Sequence, residues 1–158
     1  MPLQPESFLL GFVLTAGWIV LVILASVFYR RKKGKPVFRP HFERPLFLET
    51  WRSGRSLRSI ITRLGGARNC LWVAINENSL LVAPHFPFSL MFLPEIYGLE
   101  YNVSGDAVRS VERVNGLLAR NRVRVTIERD SGTEEAFEVS LQDPDAFVRA
   151  IEAIRQAK

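Results

Sequence analysis

Residues 122–156 read RVRVTIERDSGTEEAFEVSLQDPDAFVRAIEAIRQ, and this stretch decides the fold class. In its first part, Val123, Val125 and Ile127 alternate with polar residues, which is typical of an antiparallel strand with one buried face. A turn signal at residues 130–132 and a second β-rich run, EEAFEVSL, follow. These features predict a β-hairpin.

The end of the same stretch, DPDAFVRAIEAIRQ, predicts a helix. Asp143 is a suitable N-cap, and Pro144 suits the first helical position. The apolar side chains of the predicted helix fall on one face: Phe147, Ala150, Ile151 and Ile154. Such a stripe predicts packing against the sheet.

Five further β-rich runs lie upstream, between residues 70 and 114: CLWVAIN, SLLVAP, FSLMFL, LEYNV and AVRSVERV. Glu77-Asn78 and Asn115-Gly116 are turn signals beside these runs. With the hairpin above, they predict an α+β domain, a mostly antiparallel meander or barrel of about seven strands that ends in an amphipathic helix.

A helix is also predicted before these strands, in SGRSLRSIITRLGG at residues 53–66. Leu57, Ile60, Ile61 and Leu64 have the spacing of one helix face. Basic residues lie on its other face and nearby: Arg52, Arg55, Arg58, Arg63 and Arg68. Two interpretations remain open, a core-packing helix with solvated arginines and a basic surface that meets anionic headgroups.

The N-terminal part contains a predicted transmembrane helix. Residues 8–29 carry no charged side chain, and about 22 helical residues reach about 33 Å, enough to cross a bilayer once. The preceding residues, MPLQPES, contain no Lys or Arg, whereas a cleaved signal peptide needs positive charge before its apolar run. We therefore expect the segment to remain as an anchor.

A basic run follows the predicted span directly: Arg30, Arg31, Lys32, Lys33 and Lys35. Basic residues are retained on the cytoplasmic side, so the run predicts an outside N-terminus and a cytoplasmic C-terminal part at the inner (plasma) membrane. Contact with anionic headgroups is a second role for this run. Its five charges equal the net charge of +5, which leaves no dispersed basic surface for nucleic acid.

The predicted organisation has four parts: residues 1–7 as an extracytoplasmic N-terminus, 8–29 as the span, 30–50 as a basic and Pro-rich linker, and 51–158 as the cytoplasmic domain.

The segment HFPFSLMFLPEIYG, at residues 85–98, is apolar on both faces if it forms a strand. Either another part of the chain covers its second face, or that face contacts lipid or a protein partner in the membrane. The candidate partner contacts are Phe86, Phe88, Met91 and Leu93. An accessory subunit that docks through its transmembrane helix and this strand is the alternative function.

Sequence features of catalytic and metal sites are missing. The single Cys70 excludes an intramolecular disulfide, and one cysteine with two histidines is too few for a usual zinc site. The chain contains neither a glycine-rich phosphate loop nor a Ser, His and acid arrangement that stands out. We expect a non-enzymatic protein without a metal or cofactor.

Three phrases carry a family resemblance: CLWVAINENSLLVAP, AVRSVERV and FEVSLQDPDAFVRAIEAI, within residues 70–154. They resemble the pleckstrin-homology-like superfold, including its bacterial and GRAM-type versions. The resemblance implies a binding or scaffolding module rather than an enzyme, and such modules often work at membranes. The sequence departs from phosphoinositide-binding members, because the loop NENS, taken as the one between the first two strands, contains no Lys or Arg.

Overall fold

The computed structural model describes residues 5–34, 44–90, 97–114, 121–129 and 131–156. The chain divides into two compact units, residues 1–40 and residues 41–158. The first contains helix α1, Pro5–Lys32, and the second contains a β-sheet with its helices.

Helix α1 has no polar stripe, and its large apolar side chains, such as Phe8, Trp18 and Phe28, are exposed. Its 28 residues correspond to about 42 Å. Among the described residues, it is the one helix long and apolar enough to cross a membrane. A helix that is apolar on all sides is stable only in apolar surroundings.

Among the described residues of the second unit, seven strands form one antiparallel sheet: β1 Phe47–Ser56, β2 Ala67–Ile75, β3 Ser79–Pro84, β4 Tyr101–Ser104, β5 Val108–Val114, β6 Arg122–Glu128 and β7 Glu134–Ser140. The order is β4-β3-β2-β1-β7-β6-β5, so the sheet is open, with β4 and β5 at its edges. Helix α2, Ile60–Leu64, joins β1 to β2, and helix α3, Pro144–Gln156, follows β7.

The predicted sheet and its C-terminal helix are confirmed. The side chains of Val123, Val125 and Ile127 are fully buried, and the polar residues between them lie on the opposite face of β6. The two-residue turn between β2 and β3 is closed by the bond from Asn76 N–H to Ser79 O. Hydrophobic periodicity was sufficient to predict β6, because one of its faces is buried and the other is not.

Helix α3 begins as predicted. The side chain of Asp143 accepts a hydrogen bond from the N–H of Ala146 at 2.9 Å, which is an N-cap. In addition, the Glu49 carboxylate on β1 accepts bonds from the N–H groups of Gln142 and Asp143, at 2.8 and 2.9 Å. The start of α3 is therefore attached to β1.

The apolar face of α3 completes the core. Its four predicted stripe residues are buried, and the ring of Phe147 meets that of Phe47 on β1 edge to face, with centroids 5.3 Å apart. The helix also packs closely on the turn before β5, where a Cβ on Gly105 would lie 2.7 Å from the carbonyl oxygen of Ile154. Glycine is required for this approach.

The helix predicted from residue 53 is wrong over its first half, because residues 53–56 belong to β1. Only Ile60–Leu64 is helical, and Ile60, expected to face the core, is exposed. In β1 the inward positions near its end are Gly54 and Ser56, so the strand carries no hydrophobic alternation there. Its hydrogen bonds to β2 on one side and β7 on the other hold it in the sheet.

The strand predicted in FSLMFL is also wrong for the part that is described. Phe88–Leu90 forms a 3-10 turn, closed by bonds from Ser89 N–H to His85 O and from Leu90 N–H to Pro87 O. Proline has no backbone N–H to donate to a sheet, which favours a turn here. The predicted count of seven strands is nevertheless right, because β1 takes the place of this segment.

Candidate functional site: an arginine-lined cleft

The pairing of β1 with β2 contains two irregularities that shape the surface. Between Glu49 and Arg52, β1 contains one residue more than β2, and between Arg52 and Gly54, β2 contains two more. A residue in each bulge is left-handed, Trp51 with φ 59° and Asn69 with φ 48°. Bulges of this kind redirect side chains and are frequent beside functional sites.

The second bulge is fixed by side-chain bonds across the strands. The Ser53 hydroxyl donates to the side-chain oxygen of Asn69 at 3.0 Å and accepts a bond from the Asn69 N–H at 3.0 Å. Arg68, the residue before Asn69, is consequently presented at the surface.

The connection between β1 and β2 is held close to the sheet. Ser59 caps α2, because its hydroxyl accepts a bond from the Thr62 N–H while the Thr62 hydroxyl accepts one from the Ser59 N–H. After the helix the chain returns against β1, where a Cβ on Gly66 would lie 2.7 Å from the Gly54 carbonyl oxygen. A larger residue at Gly66 would separate the connection from the strand.

A cleft of about 330 Å³ lies between this connection and the strands β1, β2, β6 and β7. It is lined by Ser53, Gly54, Arg55, Arg63, Gly65, Gly66, Ala67, Arg68, Asn69, Arg122, Glu138 and Ser140. We call it the arginine cleft. Its lining contains four arginines and one carboxylate, so it carries an excess of three positive charges.

The carboxylate of Glu138 organises one wall of the arginine cleft. Glu138 is directly opposite Arg55 on β1 and Arg124 on β6, and its side chain is 1% exposed. Arg55 Nε donates to Glu138 Oε2 at 2.9 Å, and Arg124 donates to Glu138 Oε1 from its terminal nitrogen at 2.9 Å. Arg122 adds a longer ion pair at 3.5 Å.

Three arginines therefore share one carboxylate. Burial on its own raises the pKa of Glu138, but the hydrogen bonds from Arg124 and Arg55 and their charges outweigh it and bring the pKa below its usual value. Glu138 stays ionised at neutral pH and fixes the guanidinium groups in place. It offsets only one of their three positive charges.

The opposite wall contains arginines with unused donors. The Nε of Arg63 donates to the Leu57 carbonyl at 3.0 Å, so the group is oriented by the backbone while its side chain is exposed. The Arg68 side chain has neither a hydrogen bond nor an ion pair within the part of the chain that the structure describes. These two groups are available to an external anion.

The chemistry of the arginine cleft favours non-covalent binding. Arginine presents several N–H donors in a planar fork that matches carboxylate and phosphate oxygens. Of the described lining residues, only Glu138 could accept a proton as a base, and it is held ionised by arginine. The geometry suits an anion with several oxygens.

The predicted basic residues have different locations. Arg55 lines the arginine cleft, whereas Arg58 pairs weakly with Glu135, at 3.8 Å, outside it. Arg30, Arg31 and Lys32 form the last turn of α1. Lys33 lies in the turn that follows, and Lys35 lies outside the described residues.

The predicted partner contacts differ in exposure. Phe86 is exposed, whereas Phe88 is half-buried and packs against the core. Met91 and Leu93 lie outside the described residues.

Sequence reasoning missed Arg122 and Glu138 as members of a site. They belong to the sequences RVR on β6 and FEV on β7. Once the hairpin register is known, Arg124 of the first lies opposite Glu138 of the second, which pairs opposite charges across the strands. The NENS loop was also assigned to the wrong pair of strands. It joins β2 to β3, and the loop between the first two strands, residues 57–66, contains Arg58 and Arg63.

The chain matches no protein-family model, and comparison with curated proteins finds no significant match.

Proposed function

We propose that this chain is a membrane-anchored, non-enzymatic binding module that holds an anionic group in its arginine cleft. In this proposal α1 spans the membrane, and the basic residues at its end retain the sheet domain on the cytoplasmic side. The ligand carries a phosphate group, either on a lipid headgroup or in a soluble molecule.

One observation carries the proposal: the lining of the arginine cleft contains four arginines and only one carboxylate. Outside the cleft, exposed arginines such as Arg109, Arg113 and Arg129 each have an acidic partner. Arg68 has none among the described residues. Like charges held together without a matching counter-charge repel each other, so a bound anion stabilises this arrangement.

The sheet order and the C-terminal helix support a pleckstrin-homology-like binding domain as the finer description. From sequence alone, this chain departs from phosphoinositide-binding members, because NENS, taken as the loop between the first two strands, has no Lys or Arg. The loop that joins β1 to β2 is residues 57–66, and it contains Arg58 and Arg63. The domain assignment is part of the proposal.

The experiment uses the full chain in nanodiscs of phosphatidylcholine, titrated calorimetrically with inorganic phosphate and with glycerol phosphate. We expect saturable binding that weakens as salt is added, because exposed charges are screened. Heats equal to those of a chloride titration would overturn the proposal.

A second arm identifies the source of the phosphate. The same titration is repeated in nanodiscs that contain phosphatidylglycerol. If lipid headgroups occupy the arginine cleft, added phosphate binds more weakly there than in phosphatidylcholine. If the natural ligand is soluble, the two affinities agree once salt screens the repulsion between phosphate and the anionic bilayer.

A further inference from the structure

Two exposed aromatic side chains and the half-buried ring of His85 lie near the arginine cleft. Trp51 on β1 is 52% exposed, and Phe86, just after β3, is 59% exposed. The ring of Trp51 stacks on that of His85, with centroids 4.4 Å apart and planes at 13°. We call Trp51, His85 and Phe86 the aromatic patch.

Trp51 is exposed and its backbone is strained. Its φ of 59° lies in the left-handed region, which is strained for a residue of this size. The strain occurs in the β1 bulge, which interrupts the regular pairing with β2. A large apolar side chain that is exposed by a strained bulge indicates a surface that meets something apolar.

Neighbouring backbone segments carry the aromatic patch and the arginine cleft. Trp51 lies two residues before Ser53, which lines the cleft. His85 donates its backbone N–H to the carbonyl of Cys70. The residue before Cys70 is Asn69, which also lines the cleft. The sheet domain thus places exposed aromatic rings near surplus positive charge.

This combination matches the interface of an anionic bilayer. Tryptophan is enriched at the headgroup level, where its ring contacts acyl chains and its N–H remains near water. Basic groups beside it are attracted to anionic lipids. The tether is also short, because 14 residues separate the end of α1 from the start of β1. They reach at most about 50 Å.

We infer that the aromatic patch inserts into the headgroup region of the membrane that α1 spans, so that the arginine cleft faces the lipid phosphates. This inference rests on the proposed function and names its ligand as an anionic lipid of the same membrane.

The test measures quenching of Trp51 fluorescence by brominated lipid. Trp18→Phe and Trp72→Phe leave Trp51 as the single tryptophan of the full chain, which is reconstituted in vesicles of phosphatidylcholine and phosphatidylglycerol. We expect a loss of emission when the acyl chains are brominated near the headgroup, and a smaller loss when they are brominated near the bilayer centre.

Phe86→Glu provides the matched variant, since a carboxylate at the patch opposes insertion and should reduce the quenching. If the double replacement of tryptophan impairs folding, the difference in quenching between the natural chain and Trp51→Phe gives the same information. Equal Trp51 emission in brominated and unbrominated vesicles overturns the inference.

The phosphate titration separates the two proposals. If phosphate binds but Trp51 is not quenched, the membrane placement is wrong and the proposed binding function stands. If Trp51 is quenched but phosphate does not bind, the aromatic patch meets the membrane and the arginine cleft is not an anion site. In that case the proposed function fails.

Discussion

Replacing Arg68 with glutamate is expected to weaken phosphate binding by about 10- to 100-fold. Arg68 lines the arginine cleft and has no partner for its side chain among the described residues. A hydrogen bond to a charged group contributes about 1.5–3 kcal/mol, and every 1.4 kcal/mol changes the affinity about tenfold. The affinity is measured by calorimetry on the full chain in phosphatidylcholine nanodiscs.

The matched control for this variant is Arg155→Glu. Arg155 is exposed near the end of α3 and does not line the arginine cleft, but its replacement changes the net charge by the same amount. We expect phosphate affinity to be nearly unchanged in the control. Equal losses in both variants would mean that phosphate responds to the overall charge and not to this site.

Replacing Glu138 with glutamine is expected to destabilise the sheet domain by about 2–3 kcal/mol, because three arginines then lose their shared counter-charge. The loss is smaller than for a fully buried ion pair, since Arg55 and Arg124 are 39% and 43% exposed. Urea unfolding in a zwitterionic detergent, followed by tryptophan fluorescence, gives the free energy of unfolding.

A surface pair supplies the comparison for Glu138→Gln. Glu128 pairs with the exposed Arg109, so Glu128→Gln should cost less than about 1 kcal/mol. If Glu138→Gln is no more destabilising than Glu128→Gln, the carboxylate does not organise the arginines as we describe.

The effect of Glu138→Gln also depends on pH in a defined direction. Because folding lowers the pKa of Glu138, its stabilisation is complete above the unfolded value of about 4.5 and is lost as the pH falls through the lower folded value. The difference in unfolding free energy between the natural chain and the variant should therefore shrink on acidification below this pH. A constant difference would contradict the pKa shift.

Most of the sheet could be predicted from sequence because burial of one face imposes a period of two on it. In β6 and β7, apolar residues such as Val125 and Phe137 alternate with charged ones, and the capping signals of α3 are local. In contrast, β1 could not be recognised, because its inward Gly54 and Ser56 resemble a helix start. Its place in the sheet depends on two neighbouring strands that are distant in sequence.

The arginine cleft could be predicted only in part. Arg55, Arg63 and Arg68 form a basic concentration that is visible in the sequence, but the same pattern also suited the solvated face of a helix. Glu138 joins them through the pairing of β1 with β7, across more than 80 residues, and Arg122 joins them through the pairing of β6 with β7. Long-range register of this kind leaves no local signal.

The central claim, that the arginine cleft binds an anion, is tested most directly by NMR of arginine side chains. Among the described arginines whose Nε–H holds a hydrogen bond, which favours detection, four serve as probes: Arg55 and Arg63 in the cleft, and Arg109 and Arg129 outside it. The full chain in a zwitterionic detergent is titrated with inorganic phosphate. We predict that the Arg55 and Arg63 signals shift with one common saturation curve while those of Arg109 and Arg129 remain in place. Unchanged Arg55 and Arg63 signals, or equal shifts at all four, would contradict it.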